Sequence, residues 1–326
     1  MLSYRHAFHA GNHADVFKHT LLVMLLERFN AKETPYTVID THAGSARYDL
    51  NDERALKTLD AQSGILKLLE SIPHAKEARL PGKSSDEASR YVEAQSSDRG
   101  QPVPESSAIS RDDSQPSHKS SESVLRELRS RECRSDFIDF QKYLLFAKVC
   151  LDAGFYPGSP EIERAFMRAK DCLILSELHP DEIGALQRNM RLNAANAENA
   201  PAVHIHHRDG FEALRALTPP KTKRGIVFCD PSYEDASDWE RTANALIETH
   251  KRWAGATLAL WYPLVAVKKI ERDAMKQKII AGIKGWKTER GILDAELCVN
   301  TENSHRESAL KDVNHSEPPR LYGSGM

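Results

Sequence analysis

The chain has 326 residues, of which 45 are basic and 47 acidic, and its net charge is −2. This balance excludes a protein that binds nucleic acid through overall basicity, but it permits an enzyme with a local basic surface. The five cysteines are scattered and form no Cys-x-x-Cys pair, which favours a reducing compartment and argues against a disulfide framework or a zinc knuckle. No signal peptide or bilayer-spanning segment is visible, so we expect a soluble, cytoplasmic protein without membrane contact.

The first half of the sequence predicts two helices around a short strand and then a change of character. The helices cover 15–29 and 51–72, and the strand between them covers 36–40. Residues 74–131 are crowded with polar and charged side chains, so they bury too little apolar surface to offset the entropy of folding. We therefore predict a disordered insertion there, followed by a helix over 136–153.

The second half alternates strand and helix. Predicted strands lie at 172–176, 203–207, 225–229, 257–261 and 292–299, and predicted helices at 181–193, 237–252 and 264–282. Strands separated by helices pair in parallel, because the crossover helix returns the chain to the edge of the sheet where the first strand began. The expected fold class is therefore α/β, with a doubly wound and mostly parallel sheet.

The segment from Gly225 to Tyr233 is the most informative part of the sequence. An apolar run ends there in Asp230 and Pro231, and Tyr233 follows two residues later. Ligands of open α/β sheets bind outside the carboxyl ends of the strands, so these residues would lie at the rim of a site. A carboxylate and a backbone carbonyl can accept both protons of a planar amine such as adenine N6, and an aromatic ring can stack on the base. An ordinary Asp-Pro turn before the next helix is the alternative.

Three other strand ends carry groups that suit a nucleoside ligand. Gly44, in the turn after the first strand, would let the backbone approach a ligand closely. Glu177 could bind two ribose hydroxyls, although capping the next helix explains it equally well. Asp209 and Gly210 could meet an adenine amine, with an ordinary turn as the alternative. Chance could explain a suitable group at one strand end, but it explains suitable groups at all four far less well.

Histidines at the N-terminus raise the question of a metal site. His9 and His13 are four residues apart, but a zinc site also needs a third ligand and groups that orient the ligands. We therefore expect no metal and predict that this polar, aromatic segment lies over the ligand pocket.

Several blocks of the sequence closely resemble the RlmJ-type family of S-adenosylmethionine-dependent 23S ribosomal RNA adenine-N6 methyltransferases. They are the segment 4–19, Asp40-Thr41-His42-Ala43-Gly44 with Arg47-Tyr48, Tyr156-Pro157-Gly158-Ser159-Pro160, Glu177-Leu178-His179-Pro180, Asp209-Gly210-Phe211, Asp230-Pro231-x-Tyr233 and Leu260-Trp261-Tyr262-Pro263. The resemblance implies a single Rossmann-like class I methyltransferase domain over 1–326, with a small helical subdomain inserted at 50–155.

The resemblance also implies roles for individual residues. Asp230 would hydrogen-bond the adenine amine with help from the Pro231 carbonyl, and Tyr233 would stack on the base. Tyr4 matches a position that contacts the RNA substrate. The positions that match cofactor-binding residues are Lys18, His19, His42, Ser159, Glu177, Asp209 and Gly210. The protein so implied is a monomer that uses S-adenosylmethionine and acts on an unstacked adenine of 23S ribosomal RNA.

The sequence departs from the family pattern in three places. Ser232 replaces a second proline, which should alter the stiffness of the turn and leave the chemistry intact. Ala46 replaces a glycine, which is harmless only if this residue needs no positive φ. Residues 301–326 diverge and stop before a final strand and helix of the family pattern, so we expect a truncated end with an unpaired sheet edge or an uncovered apolar groove.

The leading hypothesis is methyl transfer to N6 of a 23S ribosomal RNA adenine, through positioning and hydrogen-bond polarisation. DNA adenine or a protein amide is the alternative acceptor, and a catalytically silent RNA-binding or assembly factor is the alternative of another class. A nicotinamide oxidoreductase is disfavoured because the chain lacks a Gly-x-Gly-x-x-Gly turn. Phosphate contacts are expected from basic residues, unless these form only a solvated face: Arg5, Arg47, Lys221, Lys223 and Arg224, or Lys268, Lys269 and Arg272.

Overall fold

The computed structural model describes residues 5–71, 135–191, 200–283, 291–299 and 323–326. The predicted disordered insertion at 74–131 lies outside the described residues, as does most of the divergent segment 301–326.

A five-stranded parallel sheet forms the centre of the molecule, as the alternation of elements predicts. Its order is β5-β4-β1-β6-β7, and every neighbouring pair is parallel. The strands are β1 (Thr37–Asp40), β4 (Cys172–Glu177), β5 (Ala202–His207), β6 (Gly225–Cys229) and β7 (Ala256–Leu260); a separate two-stranded ribbon pairs β2 (Arg47–Tyr48) with β3 (Tyr156–Pro157).

Both faces of the sheet are covered, which makes the fold doubly wound. Successive side chains of a strand point to opposite faces. Accordingly, Val38 and Phe228 lie in one apolar core, whereas Ile39 and Val227 lie in another. All four are completely buried, and this explains why the central strands are continuous apolar runs rather than alternating ones.

The helices divide between these two faces. On the first face pack α1 (His13–Asn30), α4 (Ser135–Asp152), α5 (Ser159–Phe166) and α6 (Pro180–Asn189); on the second pack α7 (Gly210–Leu217) and α8 (Asp238–Arg252). Helix α1 begins two residues earlier than predicted, because the Asn12 side chain accepts a hydrogen bond from the Asp15 amide and caps it. None of the described helices combines the length and apolar content needed to cross a bilayer.

The prediction of one continuous helix over 51–72 is wrong. The segment divides into α2 (Glu53–Thr58), a π-helical turn (Gln62–Leu66) and α3 (Lys67–Ser71). Leu59 adopts a left-handed φ of 58° and ends α2. A Cβ on Gly64 would lie 2.1 Å from the Gly11 carbonyl oxygen, so the break lets this segment dock against the start of α1.

A second, antiparallel sheet lies at the end of the chain in the order β8-β10-β9. Its strands are β8 (Tyr262–Leu264), β9 (Glu296–Cys298) and β10 (Gly323–Gly325), and α9 (Lys269–Ile283) follows a 3₁₀ turn after β8. The strand predicted over 292–299 is thus limited to Glu296–Cys298, and the helix predicted to begin at residue 264 begins at Lys269. Strand β10 lies between β8 and β9 and pairs with both. The last described strand of the chain therefore does not lie at an edge of this sheet.

The close packing of β6 generates a stability prediction. A Cβ on Gly225 would lie 2.3 Å from the Thr37 carbonyl oxygen and 2.4 Å from the Trp253 ring. Gly225→Ala should therefore lower the free energy of unfolding by about 1–3 kcal/mol, measured by urea denaturation. Gly184→Ala is the matched control: it lies in α6 with its nearest neighbour 3.5 Å away, and it should raise that free energy by about 0.5–1 kcal/mol. Equal stability of the two variants would contradict this account.

Candidate active site

The order of the strands creates a crevice at one edge of the central sheet. From β1 the chain moves outward to β4 and β5, then returns to the other side of β1 to form β6 and β7. Strands β1 and β6 therefore flank the point where the winding reverses, which is where open α/β sheets bind their ligands. Asp40 ends β1 and Asp230 follows β6, so both carboxylates lie at the crevice.

Lys18 of α1 reaches across to the predicted catalytic residue. Its ammonium donates a hydrogen bond to Asp230 Oδ2 at 2.6 Å and lies 2.8 Å from Asp15 Oδ1. The Lys18 side chain is only 6% exposed and that of Asp230 14%, so little water screens this contact. The structure thus places a predicted cofactor residue against the predicted catalytic one.

Asp15 anchors the cluster from the first turn of α1. Its Oδ2 accepts hydrogen bonds from the Gly11 amide at 2.8 Å and from His6 at 3.0 Å. Burial alone would raise the pKa of Asp15, but the adjacent His6 and Lys18 outweigh it and hold that pKa well below its usual value. Asp15 is therefore a buried carboxylate that orients Lys18.

Asp40 behaves differently from Asp15, although both are completely buried. The Ser159 hydroxyl donates to its Oδ2 at 2.7 Å and the His42 amide to its Oδ1 at 3.1 Å. Burial nevertheless raises the pKa of Asp40 to about 7, with a further contribution from the negative charge of Asp230. Ser159, a predicted cofactor residue, is thus held against Asp40.

Glu177 ends β4 next to this crevice. Its two carboxylate oxygens accept hydrogen bonds from the backbone amides of Gly44 at 2.7 Å and His179 at 2.6 Å. It therefore fixes the turn after β1 as well as the start of α6. The hydroxyl of Ser176 beside it is buried and has no hydrogen-bond partner among the described residues.

Asp209 and Gly210 are brought back over β1 by helix α7. Asp209 caps that helix and also accepts a hydrogen bond from Arg241 at 2.7 Å. A Cβ on Gly210 would lie 2.1 Å from the Thr41 carbonyl oxygen, so only glycine permits this approach. The ring of Phe211 lies between Arg241, 4.7 Å away, and the His42 ring, 5.3 Å away.

His19 is linked to the predicted helical insertion by a chain of buried hydroxyls. Its Nδ1 lies 3.0 Å from the Tyr156 hydroxyl, which lies 3.0 Å from that of Tyr143 on α4. Burial lowers the pKa of His19 to about 3, so the imidazole is neutral. When Tyr143 donates to Tyr156 and Tyr156 donates to His19 Nδ1, both hydroxyl protons have acceptors and the imidazole proton lies on Nε2.

Tyr233 lies inside the protein. It is 7% exposed, its ring centroid is 4.2 Å from that of Trp239, and its hydroxyl donates to the Trp261 carbonyl at 3.0 Å. Its φ of 55° is left-handed, a conformation that costs a non-glycine residue about 1–2 kcal/mol. Stacking on a base stays a prediction, and it requires this ring to become more exposed than it is here.

The remaining expectations concern the backbone at Ala46, the RNA contact of Tyr4, and the N-terminal histidines with their possible metal. Ala46 has a φ of 66°, so the replacement of glycine there is not free of strain. Tyr4 lies outside the described residues. His9 contacts Asp60 at 2.9 Å, which ties the N-terminal segment to the connection between α2 and the π-helical turn. Within the described ranges, no group of three or more metal-ligating side chains converges.

The basic residues predicted to contact phosphate lie in different parts of the molecule. Arg5 is paired with Asp181, and Arg47 donates to the buried Glu161 at 3.1 Å. Arg272 is also buried, whereas Lys268 and Lys269 are paired with acids of their own helix region. The remaining three, Lys221, Lys223 and Arg224, precede β6 and so lie at the amino edge of the sheet, opposite Asp230.

Sequence reasoning missed four residues of the site: Asp15 as an anchor, Tyr143, Tyr156 and Arg241. The spacing of Asp15 and Lys18 on one helix face was an available signal. Tyr156 begins one of the blocks that resemble the family, but nothing in the sequence indicated its contact with His19. Tyr143 and Arg241 carried no signal, because their partners come from other segments of the chain.

Comparison with known proteins gives consistent results. The family model described as "Ribosomal RNA large subunit methyltransferase D, RlmJ" matches residues 135–319. The chain is 31% identical over 320 residues to "Ribosomal RNA large subunit methyltransferase J" of Escherichia coli (strain K12), covering 98% of this chain and 88% of that one. The protein of the same name from Haemophilus influenzae is 29% identical over 321 residues, with the same coverage.

A solved structure supports the fold. The crystal structure of protein LPL1258 from Legionella pneumophila superposes with a TM-score of 0.60 at 24% identity, covering 97% of this chain and 85% of that one. At this identity the likeness concerns the fold alone.

The raised pKa of Asp40 predicts a pH dependence of stability. The folded protein binds the Asp40 proton more tightly than the unfolded chain, whose pKa is near 3.8, so this contribution is complete below that pH and is lost as the pH rises to about 7. Asp40→Asn cannot titrate. Its free energy of unfolding relative to the unmodified protein should therefore increase from pH 4 to 7, by at most about 1.4 kcal/mol per pH unit. Parallel stability curves from denaturant titrations at each pH would contradict the assignment.

Proposed function

The chain belongs to the RlmJ family of ribosomal RNA large subunit methyltransferases, and on that basis we propose that it methylates N6 of an adenine in 23S ribosomal RNA with S-adenosylmethionine as the methyl donor. One observation carries the proposal beyond family membership. The Asp230 carboxylate lies at the reversal point of the sheet, nearly buried and 2.6 Å from the Lys18 ammonium.

Asp230 and Pro231 are the groups that act on the adenine amine. The N6 lone pair is delocalised into the purine ring, so the amine is a weak nucleophile. Lys18 donates to Oδ2 of Asp230 and orients the carboxylate, whose Oδ1 can accept one amine proton while the Pro231 carbonyl accepts the other. These hydrogen bonds localise the lone pair on nitrogen, and they are strong because the site excludes most water. Catalysis is then positioning and polarisation.

The polar groups of the crevice suit a nucleoside cofactor with a positive charge. S-adenosylmethionine supplies the methyl group and a sulfonium cation when it is bound. Glu177 offers acceptors for ribose hydroxyls, and Asp209 offers an acceptor for an amine. Asp230 supplies the negative charge that a sulfonium needs nearby. His19 presents Nε2–H, a donor for a cofactor carboxylate.

The substrate adenine must leave its base stack to reach Asp230, because N6 is otherwise held inside the RNA. Tyr4 and Tyr233 are the proposed stacking partners. For Tyr233 this involves movement away from Trp239, against which its ring packs at 4.2 Å. A cytoplasmic monomer is the state in which we expect the enzyme to act.

The role of Asp230 is tested by Asp230→Asn, which keeps the shape of the side chain and removes the charge that Lys18 binds. Methylation of unmodified 23S ribosomal RNA, followed with a radiolabelled methyl donor, should slow by about 10²–10³-fold, as when one polar group of a preorganised site is lost. Affinity for S-adenosylhomocysteine by isothermal titration should stay within about twofold. Asp235→Asn, an exposed acid in the same loop, is the control and should keep full activity.

Two outcomes would reject parts of the proposal. Unchanged turnover of Asp230→Asn would remove the residue from the mechanism. A folded unmodified protein that binds no S-adenosylhomocysteine would overturn the cofactor assignment, and preferential methylation of duplex DNA or protein in competition assays would overturn the acceptor.

The chain of hydroxyls behind His19 generates a second test. Tyr156→Phe removes the donor to Nδ1, so the imidazole proton is no longer confined to Nε2. The dissociation constant for S-adenosylhomocysteine should rise about 5–10-fold, which corresponds to the free energy of about one hydrogen bond. Tyr36→Phe is the control, because it removes a buried hydroxyl that donates only to Asn30, at the opposite edge of the sheet. Equal affinities of the two variants would show that Tyr156 has no positioning role.

A further inference from the structure

A basic groove lies at the amino edge of the central sheet, on the opposite side of the molecule from Asp230. It has a volume of about 740 Å³ and lies where α1 ends and where β6 and β7 begin. Its lining residues are Arg28, Phe29, Ala31, Lys32, Lys223, Arg224, Gly255 and Thr257. Four of these eight are basic, and none of the described residues that line it is acidic.

The positive charge of the groove is not neutralised locally. Arg28, Lys32 and Lys223 are exposed, and none of them forms an ion pair with a described residue. Elsewhere in the protein basic side chains are commonly paired, as Lys170 is with Glu33 near this groove. Because the whole chain carries a net charge of −2, four cations around one groove are a local feature and not a consequence of overall basicity.

The backbone that carries these cations is held in place. Arg224 donates hydrogen bonds to the carbonyls of Phe29 at 2.7 Å and Thr34 at 3.0 Å, and its guanidinium lies 4.4 Å from the Phe29 ring. Arg168 donates to the Lys32 carbonyl at 2.8 Å. These contacts clamp the connection between α1 and β1, so binding of an anion would not have to order this segment.

From these observations, and resting on the proposed action on ribosomal RNA, we propose that the groove binds the phosphate backbone of the RNA that flanks the target adenine. Phosphates are polyanionic ligands that suit several fixed, unpaired cations, and they are read without regard to sequence. The groove is thus a second RNA-binding surface, separate from the crevice where methyl transfer occurs.

Geometry determines which RNA can reach this surface. Arg224 precedes β6 and Asp230 follows it, so the two are six residues apart, a span of about 20 Å. At about 3.4 Å per stacked nucleotide this corresponds to at least about six nucleotides beyond the target. A short RNA around the adenine therefore cannot occupy both sites, whereas a longer one can.

The test compares charge reversal with charge retention at the three exposed positions. The variant Arg28→Glu/Lys32→Glu/Lys223→Glu should bind a 23S ribosomal RNA fragment of about 60 nucleotides at least 10-fold more weakly, and the slope of log affinity against log salt should fall by about 2. Its affinity for a fragment of about five nucleotides, with the adenine at its centre, should change less than about twofold. The control Arg28→Lys/Lys32→Arg/Lys223→Arg should bind both fragments like the unmodified protein. Arg224 is left intact because its hydrogen bonds hold the loop.

The outcomes separate this proposal from the proposed function. Unchanged binding of the long fragment by the reversal variant, or an equal loss with both fragments, would overturn the groove assignment even if the unmodified protein methylates ribosomal RNA. Absence of methylation by the unmodified protein would overturn the function, whereas the binding comparison would still decide the groove. An unmodified protein that binds neither fragment would overturn both. Affinity for S-adenosylhomocysteine and the thermal melt should be the same in all three proteins, which excludes misfolding as the cause.

Discussion

The bridge that Lys18 forms between Asp15 and Asp230 is the interaction on which the site depends. It joins the first helix to the turn after β6, two segments more than 200 residues apart in the chain. Removing an ammonium from water is costly unless oppositely charged groups and hydrogen bonds replace the solvent. Here two carboxylates surround the ammonium, and one of them is itself held by the Gly11 amide and His6. The bridge therefore contributes more to the orientation of the Asp230 carboxylate, whose direction it fixes, than to the stability of the fold.

Three buried acids at this edge of the sheet have different states because their partners differ. Asp15 has cationic neighbours and its pKa is lowered despite burial, whereas Asp40 has neutral donors and its pKa rises to about 7. Glu163, one turn of α5 beyond Ser159, has no hydrogen-bond partner among the described groups, and burial raises its pKa well above the usual value. The pKa of Asp15 is lowered beside Lys18, whereas the pKa values of Asp40 and Glu163 are raised. The crevice therefore keeps negative charge near Asp230 and carries less of it deeper in the protein.

The two edges of the sheet have opposite electrostatic character. The carboxyl edge carries the ends of β1, β4 and β6 and is acidic, which suits a cationic cofactor and an amine substrate. The amino edge carries Arg28, Lys32, Lys223 and Arg224, which suit phosphate. Because all five strands are parallel, each edge collects the residues from one kind of loop, so a chain with almost no net charge can present two surfaces of opposite sign. Helix α4 is joined to the acidic edge through Tyr143 and Tyr156, which connect it to His19.

The sequence by itself determined the α/β fold with a mostly parallel sheet and the strand ends that carry the site, because apolar runs, turn residues and helix caps are local signals. Only the structure showed that the strand predicted over 292–299 belongs to a separate antiparallel sheet. It also identified Asp230, Glu177 and Asp209 as candidates from their places after predicted strands. The tertiary structure alone decided that Lys18 contacts Asp230, that Tyr233 packs against Trp239, and that Ala46 needs a positive φ. It likewise decided that the segment 51–72 breaks where Gly64 meets Gly11. The Lys18–Asp230 and Gly64–Gly11 contacts join residues far apart in the chain, and the energy of such a contact exists only after the backbone has brought the partners together.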